Sequence, residues 1–287
     1  MRKIRPPRGG RRERRDVWMD QTGYAGAVGE LPKKRGITGS TLKLIAVIAM
    51  LIDHTGAVVL ERILMAEGLY DAVTQAELAE FMARYGGVYL ADSIMRLVGR
   101  IAFPIFCFLL VEGFVHTRSK LRYLRNLAVF ALISEPIFDM AVFGVWSESR
   151  GQNVYFTLFL GVLTLWGIQK AQGMGRKALG RLLSLGAAAA GCAAAWLLST
   201  DYGGYGVLAI VAIYLLRGRP VAGGAAACTC LLPLSFLQAA GYGALIPIHL
   251  YNGERGLRMK YFFYLFYPVH LLLLYQVASM LGYRYAF

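Results

Sequence analysis

Six stretches of the chain, residues 42–60, 93–115, 121–143, 153–169, 178–198 and 259–281, approach or reach the run of about 20 apolar residues a helix needs to cross a bilayer. Between 203 and 251 the pattern is choppier: 203–216, 221–237 and 240–251 are short apolar pieces split by Gly, Pro and Arg. Such segments are tolerated at membrane depth where protein or a cavity surrounds them. The chain is 57% hydrophobic and only 17% charged. Soluble domains run near 45–50% apolar and about 25% charged. The expected fold is therefore all-α, a polytopic integral membrane protein of about nine transmembrane helices (eight to ten). No signal-peptide pattern precedes residue 42, so the first span is expected to stay.

The net charge of +14, from 31 Lys and Arg against 17 Asp and Glu, would fit a nucleic-acid binder if it lay on a wet basic face. Its distribution fits topology better, and no nucleic-acid partner is expected. Twelve Lys and Arg precede or include Lys43, whereas the segment 62–92, read as an outer loop, is net acidic. Basic residues return at 118–125, 170–181, 217–219 and 255–260, and the intervening loops carry few. This alternation follows the positive-inside rule. It puts the N-terminus in the cytoplasm of a bacterial inner (cytoplasmic) membrane protein, with basic loops near anionic membrane lipid. Residues 1–36 read as a flexible basic cytoplasmic arm, and 37–287 as the membrane domain. The four cysteines lie in apolar spans and read as small buried hydrophobes.

Against this background the charges inside the spans are informative. Asp53, His54, Arg96, Arg100, Glu135, Asp139 and His270 all fall within apolar segments. Each Asp or Arg at the bilayer centre costs at least about 2.5 kcal/mol unless paired or wetted. Counting about 1.5 Å per residue, His54, Arg100, Glu135 and His270 reach depths of roughly 15–21 Å. Four helices thus bring polar groups to one level. Arg96 and Arg100 share a face, as do Glu135 and Asp139, so two arginines facing two carboxylates is the simplest expected arrangement. Asp53 is expected to pair with Arg96 or Arg100. Histidine takes and returns protons near neutral pH, which makes His54 and His270 candidates for acid–base work. Glu112 and His116 share a face near the inner end; two ligands without a third make a weak metal site, and no metal is expected.

Beyond these charges, the order of short motifs is specific. Asp53-His54-x-Gly56, Arg96-x-x-Gly99-Arg100-Ile101-Ala102-Phe103-Pro104, Glu112-Gly113, Ser134-Glu135, Asn153-Val154-x-Phe156-Thr157, Asp201-Tyr202-Gly203, Tyr251-Asn252-Gly253-x-Arg255-Gly256 and Phe266-Tyr267-Pro268-x-His270 run in order through residues 42–281. In this the chain resembles the TraX family, membrane proteins named for the conjugative F-pilin N-terminal acetylase. That family in turn is similar to the broader transmembrane acyltransferases, which carry a basic residue and then a histidine eleven positions on, as Lys43 and His54 do. Their paired arginines are spaced Arg-x-x-Arg; here the gap between Arg96 and Arg100 is one residue longer.

The resemblance implies a transmembrane acyltransferase-like bundle that moves an acetyl group from cytoplasmic acetyl-CoA to an amine or hydroxyl of an acceptor protein, glycan or lipid. In that reading His54, with Asp53, Arg100 and His270, carries the chemistry. Lys43, Arg96, Arg118, Lys120, Tyr251, Asn252 and Arg255 hold acetyl-CoA at the inner surface. Glu112, Glu135, Asp139, Asn153, Asp201, Tyr202 and Tyr267 face the acceptor, although Asn153 and Asp201 are also natural helix caps. Two other classes compete. A proton-coupled transporter would use the same buried His, Asp and Arg residues, but the two halves show no convincing internal repeat. A non-catalytic assembly factor would keep the fold without needing His54.

Overall fold

The computed structural model describes residues 36–257 and 260–282, so the arm read over 1–36 lies almost entirely outside the described residues. Eleven α-helices and two 3-10 segments follow one another, with no strand among the described residues. The first helix, α1 (Gly39–Thr55), runs through a five-residue π segment (Gly56–Leu60) into α2 (Glu61–Ala66). The remaining helices are α3 (Gln75–Gly99), α4 (Ala102–His116), α5 (Lys120–Val142), α6 (Val154–Gln172), α7 (Lys177–Leu197), α8 (Gly203–Leu215), α9 (Pro220–Leu231), α10 (Leu245–His249) and α11 (Lys260–Met280).

Five helical runs are long and apolar enough to cross a membrane: Gly39–Ala66, Gln75–His116, Val154–Gln172, Lys177–Leu197 and Tyr261–Met280. They make this an all-helical membrane protein. The 23-residue α5 is long enough, but Lys120, Arg122, Arg125, Glu135 and Asp139 dilute its apolar character. The choppy region is short and irregular in fact: α8 has 13 residues and α9 has 12, and 3-10 turns over Leu232–Leu234 and Phe236–Ala244 lead into the five-residue α10.

The segment 62–92 is not an outer loop. Only Glu67–Thr74 is non-helical, and α3 starts at Gln75 behind a capping box: Thr74 accepts from the Glu77 amide and the Glu77 carboxylate accepts from the Thr74 amide. The acidic residues that made the segment look like a loop suit a helix N-terminus. The span expected over 93–115 is also divided. Helix α3 ends at Gly99, and Arg100–Ile101 form a tight turn whose amides reach back only three residues, to Leu97 and Val98. Pro104 explains the break: it has no N–H, is tolerated in the first turn of α4, and cannot sit inside a continuous helix.

The core is built from α1, α4, α5, α6, α8 and α11, where Leu42, Ile105, Phe114, Leu165, Ile210 and Leu271 are almost fully buried. Large apolar side chains on the outer faces, among them Leu132, Ile133, Leu182 and Leu185, stay exposed, as lipid-facing positions should. Helices α1 and α3 meet at close range. A Cβ on Gly99 would stand 2.2 Å from the Asp53 Cβ, an atom fixed to the backbone. By contrast Gly87, also inside α3, has open space around it. Gly99→Ala is therefore expected to destabilise by about 1–3 kcal/mol through overpacking. Gly87→Ala should stabilise by about 0.5–1 kcal/mol through helix propensity. Thermal unfolding of the two variants in the same detergent checks the opposite signs.

Candidate functional site

Two polar constellations lie side by side on α1. The first is a carboxylate clamp. Asp53 Oδ2 is 3.0 Å from Arg96 Nη1, and Asp53 Oδ1 accepts from Arg100 Nη2 at 3.0 Å. Arg100 Nε also donates to the Arg96 carbonyl at 3.0 Å, which fastens the turn after α3. Both arginines thus use one carboxylate, and the arrangement expected from the sequence, arginines facing Glu135 and Asp139, does not form. The reason is proximity: Gly56 and Gly99 let α1 and α3 approach so closely that Asp53 reaches both guanidinium groups. Asp92 and Glu61 add further carboxylates around Arg96.

The second constellation is a histidine pair. His54 Nδ1 and His270 Nε2 are 2.6 Å apart, and the rings lie nearly parallel, 10° between planes. His270 Nδ1 is 2.6 Å from the Phe266 carbonyl oxygen. A carbonyl only accepts, so Nδ1 of His270 carries the proton. With both rings neutral, Nε2 of His270 is then the acceptor and His54 Nδ1–H the donor. The chain of bonds leaves His54 Nε2 as a bare lone pair. Tyr267 stands edge-on to both rings at 5.8 Å, and Phe266 stacks on His270 at 4.7 Å.

At the end of the bundle where α1 and α5 start and α4 finishes lies a cavity of about 700 Å³. Lys43, His116, Arg118, Arg122 and Arg255 line it, with Glu112 as the one carboxylate among its lining residues. Tyr251 donates to Glu112 Oε2 at 3.5 Å, and His116 Nδ1 sits 2.9 Å from the Glu112 carbonyl. Phe263, Tyr264 and Tyr155 add aromatic rings to its lining. Tyr155 meets Tyr267 edge-on at 5.3 Å, so one ring separates the cavity from the histidine pair.

Of the residues expected to hold a cofactor, Lys43, Arg118, Tyr251 and Arg255 line the cavity, and Lys120, Asn252 and Arg96 do not. Lys120 Nζ donates to the Phe114 and Thr117 carbonyls, closing the C-terminus of α4, and sits over the Phe114 ring. Asn252 Oδ1 accepts from the Glu254 amide in a local turn. Arg96 is held by Asp53. Arg122, Tyr155 and Tyr264 also line the cavity, unannounced by the sequence: Arg122 is one charge of a basic loop, and the tyrosines are uncharged aromatics in apolar spans.

The expected acceptor residues divide between both ends of the bundle. Glu112 belongs to the cavity and Tyr267 to the histidine pair. Glu135 Oε2 accepts from the Asn153 amide at 3.0 Å and from its side-chain amide, while Asn153 Oδ1 caps α6 by accepting from Tyr155 N. Asp139, 1% exposed, accepts from the Glu148 amide at 3.0 Å. Glu148 itself is pulled down to about 2 by hydrogen bonds from Arg150. Asp201 lies on the turn before α8, within electrostatic reach of Asp53 and Arg100, but the cap of α8 is Tyr202, whose ring stacks on Phe103.

Compared with known proteins, the chain matches the TraX protein family over residues 38–278. It is 30% identical over 266 residues to a probable fimbrial assembly protein, FimC of serogroup H1, from Dichelobacter nodosus; the match covers 81% of this chain and 92% of that relative. No solved structure matches it.

Removing Asp53 would leave two guanidinium groups facing each other in a poorly solvated site, with side chains only 14–28% exposed. Asp53→Ala is expected to cost about 3–5 kcal/mol, the size seen when one partner of a buried pair is deleted. Thermal unfolding should show a large fall in Tm for Asp53→Ala and little change for Arg150→Ala, whose pair with Glu148 is at the surface.

Proposed function

The chain belongs to the TraX family, and on that premise we propose that it is a membrane-embedded acetyltransferase. It takes an acetyl group from cytoplasmic acetyl-CoA and delivers it to an amine or hydroxyl of an acceptor. The observation that carries this reading is the histidine pair: its hydrogen bonds leave His54 Nε2 free to take a proton, one aromatic ring away from a cation-lined cavity.

His54 Nε2 removes the acceptor's proton as its nitrogen or oxygen attacks the thioester carbon. The tetrahedral oxyanion collapses, the carbon–sulfur bond breaks, and the departing CoA thiolate takes the proton from His54. His270 holds the His54 ring in the required tautomer and shares the transient positive charge. Asp53 keeps Arg96 and Arg100 beside this step, where their positive field favours the oxyanion.

The residues fit the donor. CoA phosphates are anionic, and the cavity mouth gathers Lys43, Arg118, Arg122 and Arg255 around one carboxylate. Lys43 and His54 are eleven residues apart on α1, about 16 Å, a distance an extended pantetheine arm covers. Tyr267 must turn aside for the thioester to meet His54. In this reading the cavity opens to the cytoplasm, α5, α8 and the α9–α10 region lie at membrane depth beside the five long runs, and the bundle crosses the inner membrane about nine times. The name of the Dichelobacter nodosus relative supports a pilin-like or fimbrial subunit as acceptor.

Purified protein in lipid vesicles, given acetyl-labelled acetyl-CoA and envelope extract, is expected to transfer label to a protein. His54→Ala should lower the rate by about 10²–10⁴-fold, the usual contribution of a general base. Arg118→Glu should instead raise KM for acetyl-CoA with little change in kcat. Equal rates for wild type and His54→Ala would overturn the reading.

A further inference from the structure

Helix α11 carries a proline, Pro268, two residues before His270. A helix pairs each carbonyl with the amide four residues on, and Pro268 has no N–H to give the Tyr264 carbonyl. That carbonyl takes a hydrogen bond from the Tyr155 hydroxyl on α6 at 3.2 Å. Tyr155 is 7% exposed, and its place is set locally: it is the second residue of α6, its amide is held by the Asn153 cap at 3.0 Å, and Asn153 is in turn held by Glu135. Its ring meets Tyr267 edge-on, and Tyr267 meets both histidine rings.

We propose that Tyr155 is a positioning residue for the histidine pair: its hydroxyl replaces the amide that Pro268 lacks and so holds the turn of α11 from which His270 meets His54. The His54–His270 bond joins two helices and is short, 2.6 Å, so a small rotation of α11 beyond Tyr264 breaks it. Phe266 O, the acceptor that sets the His270 tautomer, lies two residues past Tyr264 in the same turn. Without the Tyr155 hydroxyl the Tyr264 carbonyl loses its bond from α6, which leaves this turn only the contact of Tyr267 with the Val154 backbone, and His54 loses the partner that keeps its Nε2 bare. The proposal uses the acyl-transfer reading only for its consequence on rate.

The test separates the two. The full chain has four histidines, His54, His116, His249 and His270. Labelled with ¹⁵N-histidine and placed in lipid vesicles, it is expected to show by solid-state NMR one N–H···N correlation, between His54 and His270. Tyr155→Phe keeps the ring and removes only the hydroxyl; it should abolish that correlation and lower kcat for acetyl transfer more than tenfold. Pro268→Ala supplies the missing amide, so P268A alone should keep the correlation and the double variant Y155F/P268A should regain it together with the rate.

An unchanged correlation in Tyr155→Phe overturns the proposal. So does a double variant no better than Y155F, or loss of the correlation in P268A alone, since the proline itself would then set the pair. If the spectra behave as expected while the wild type transfers no acetyl group, the positioning role stands and the acyl-transfer reading falls.

Discussion

One hydrogen bond, from His54 Nδ1 to His270 Nε2, ties the first long helix to the last. The rest of the site is arranged around it. On the α1 side, the neighbouring Asp53 is clamped by Arg96 and Arg100, which fixes the rotation of α1 and with it the direction of His54. On the α11 side, Phe266 O fixes the His270 tautomer and Tyr155 braces the turn that Pro268 weakens. The two sides converge on a single product, an imidazole nitrogen with a free lone pair in a poorly solvated place.

The ionisable groups in the spans follow a local rule. Each finds its partner on the nearest element: Asp53 with the arginines of the adjacent α3, Glu135 with the Asn153 that opens α6, and Asp139 with the amide of Glu148 a short loop away. This limits the cost of holding charge at membrane depth. It also gives the chain three polar groups: the cation-lined cavity, the Glu135–Asn153 and Asp139–Glu148 contacts, and the clamp with the histidine pair. Glycines at 56 and 99 are what allow the clamp, because only a residue without Cβ lets α3 lie against Asp53 and Arg96 lie against α1.

Much of this was legible in the residues. Counting rise per residue put His54 and His270 at one depth, and the cost of a lone aspartate in a span pointed Asp53 to an arginine. Lys43, Arg118 and Arg255 line one cavity, as the alternation of basic loops suggested, and Tyr251 joins them, as the family resemblance implied. What was not legible has physical reasons. Depth says nothing about azimuth, so Glu135 and Asp139 looked like partners for arginines that were already engaged. Acidic residues in 75–92 hid a helix, although Thr74 and Glu77 carried its capping signature. Lys120 read as a phosphate ligand, but its long chain folds back onto the open carbonyls of α4. Pro268 announced that the Tyr264 carbonyl needed a donor; nothing in the sequence said that Tyr155, more than a hundred residues earlier, supplies it.

The central claim is that the two histidines act as one unit rather than as separate polar contacts. Groups that act together lose their effect together. The most direct test is a double-mutant cycle on the rate of the proposed acetyl transfer with His54→Gln, His270→Gln and the double variant. The account predicts that the double variant is no slower than His54→Gln alone. Losses that multiply independently, or a His270→Gln variant as fast as wild type, would contradict it.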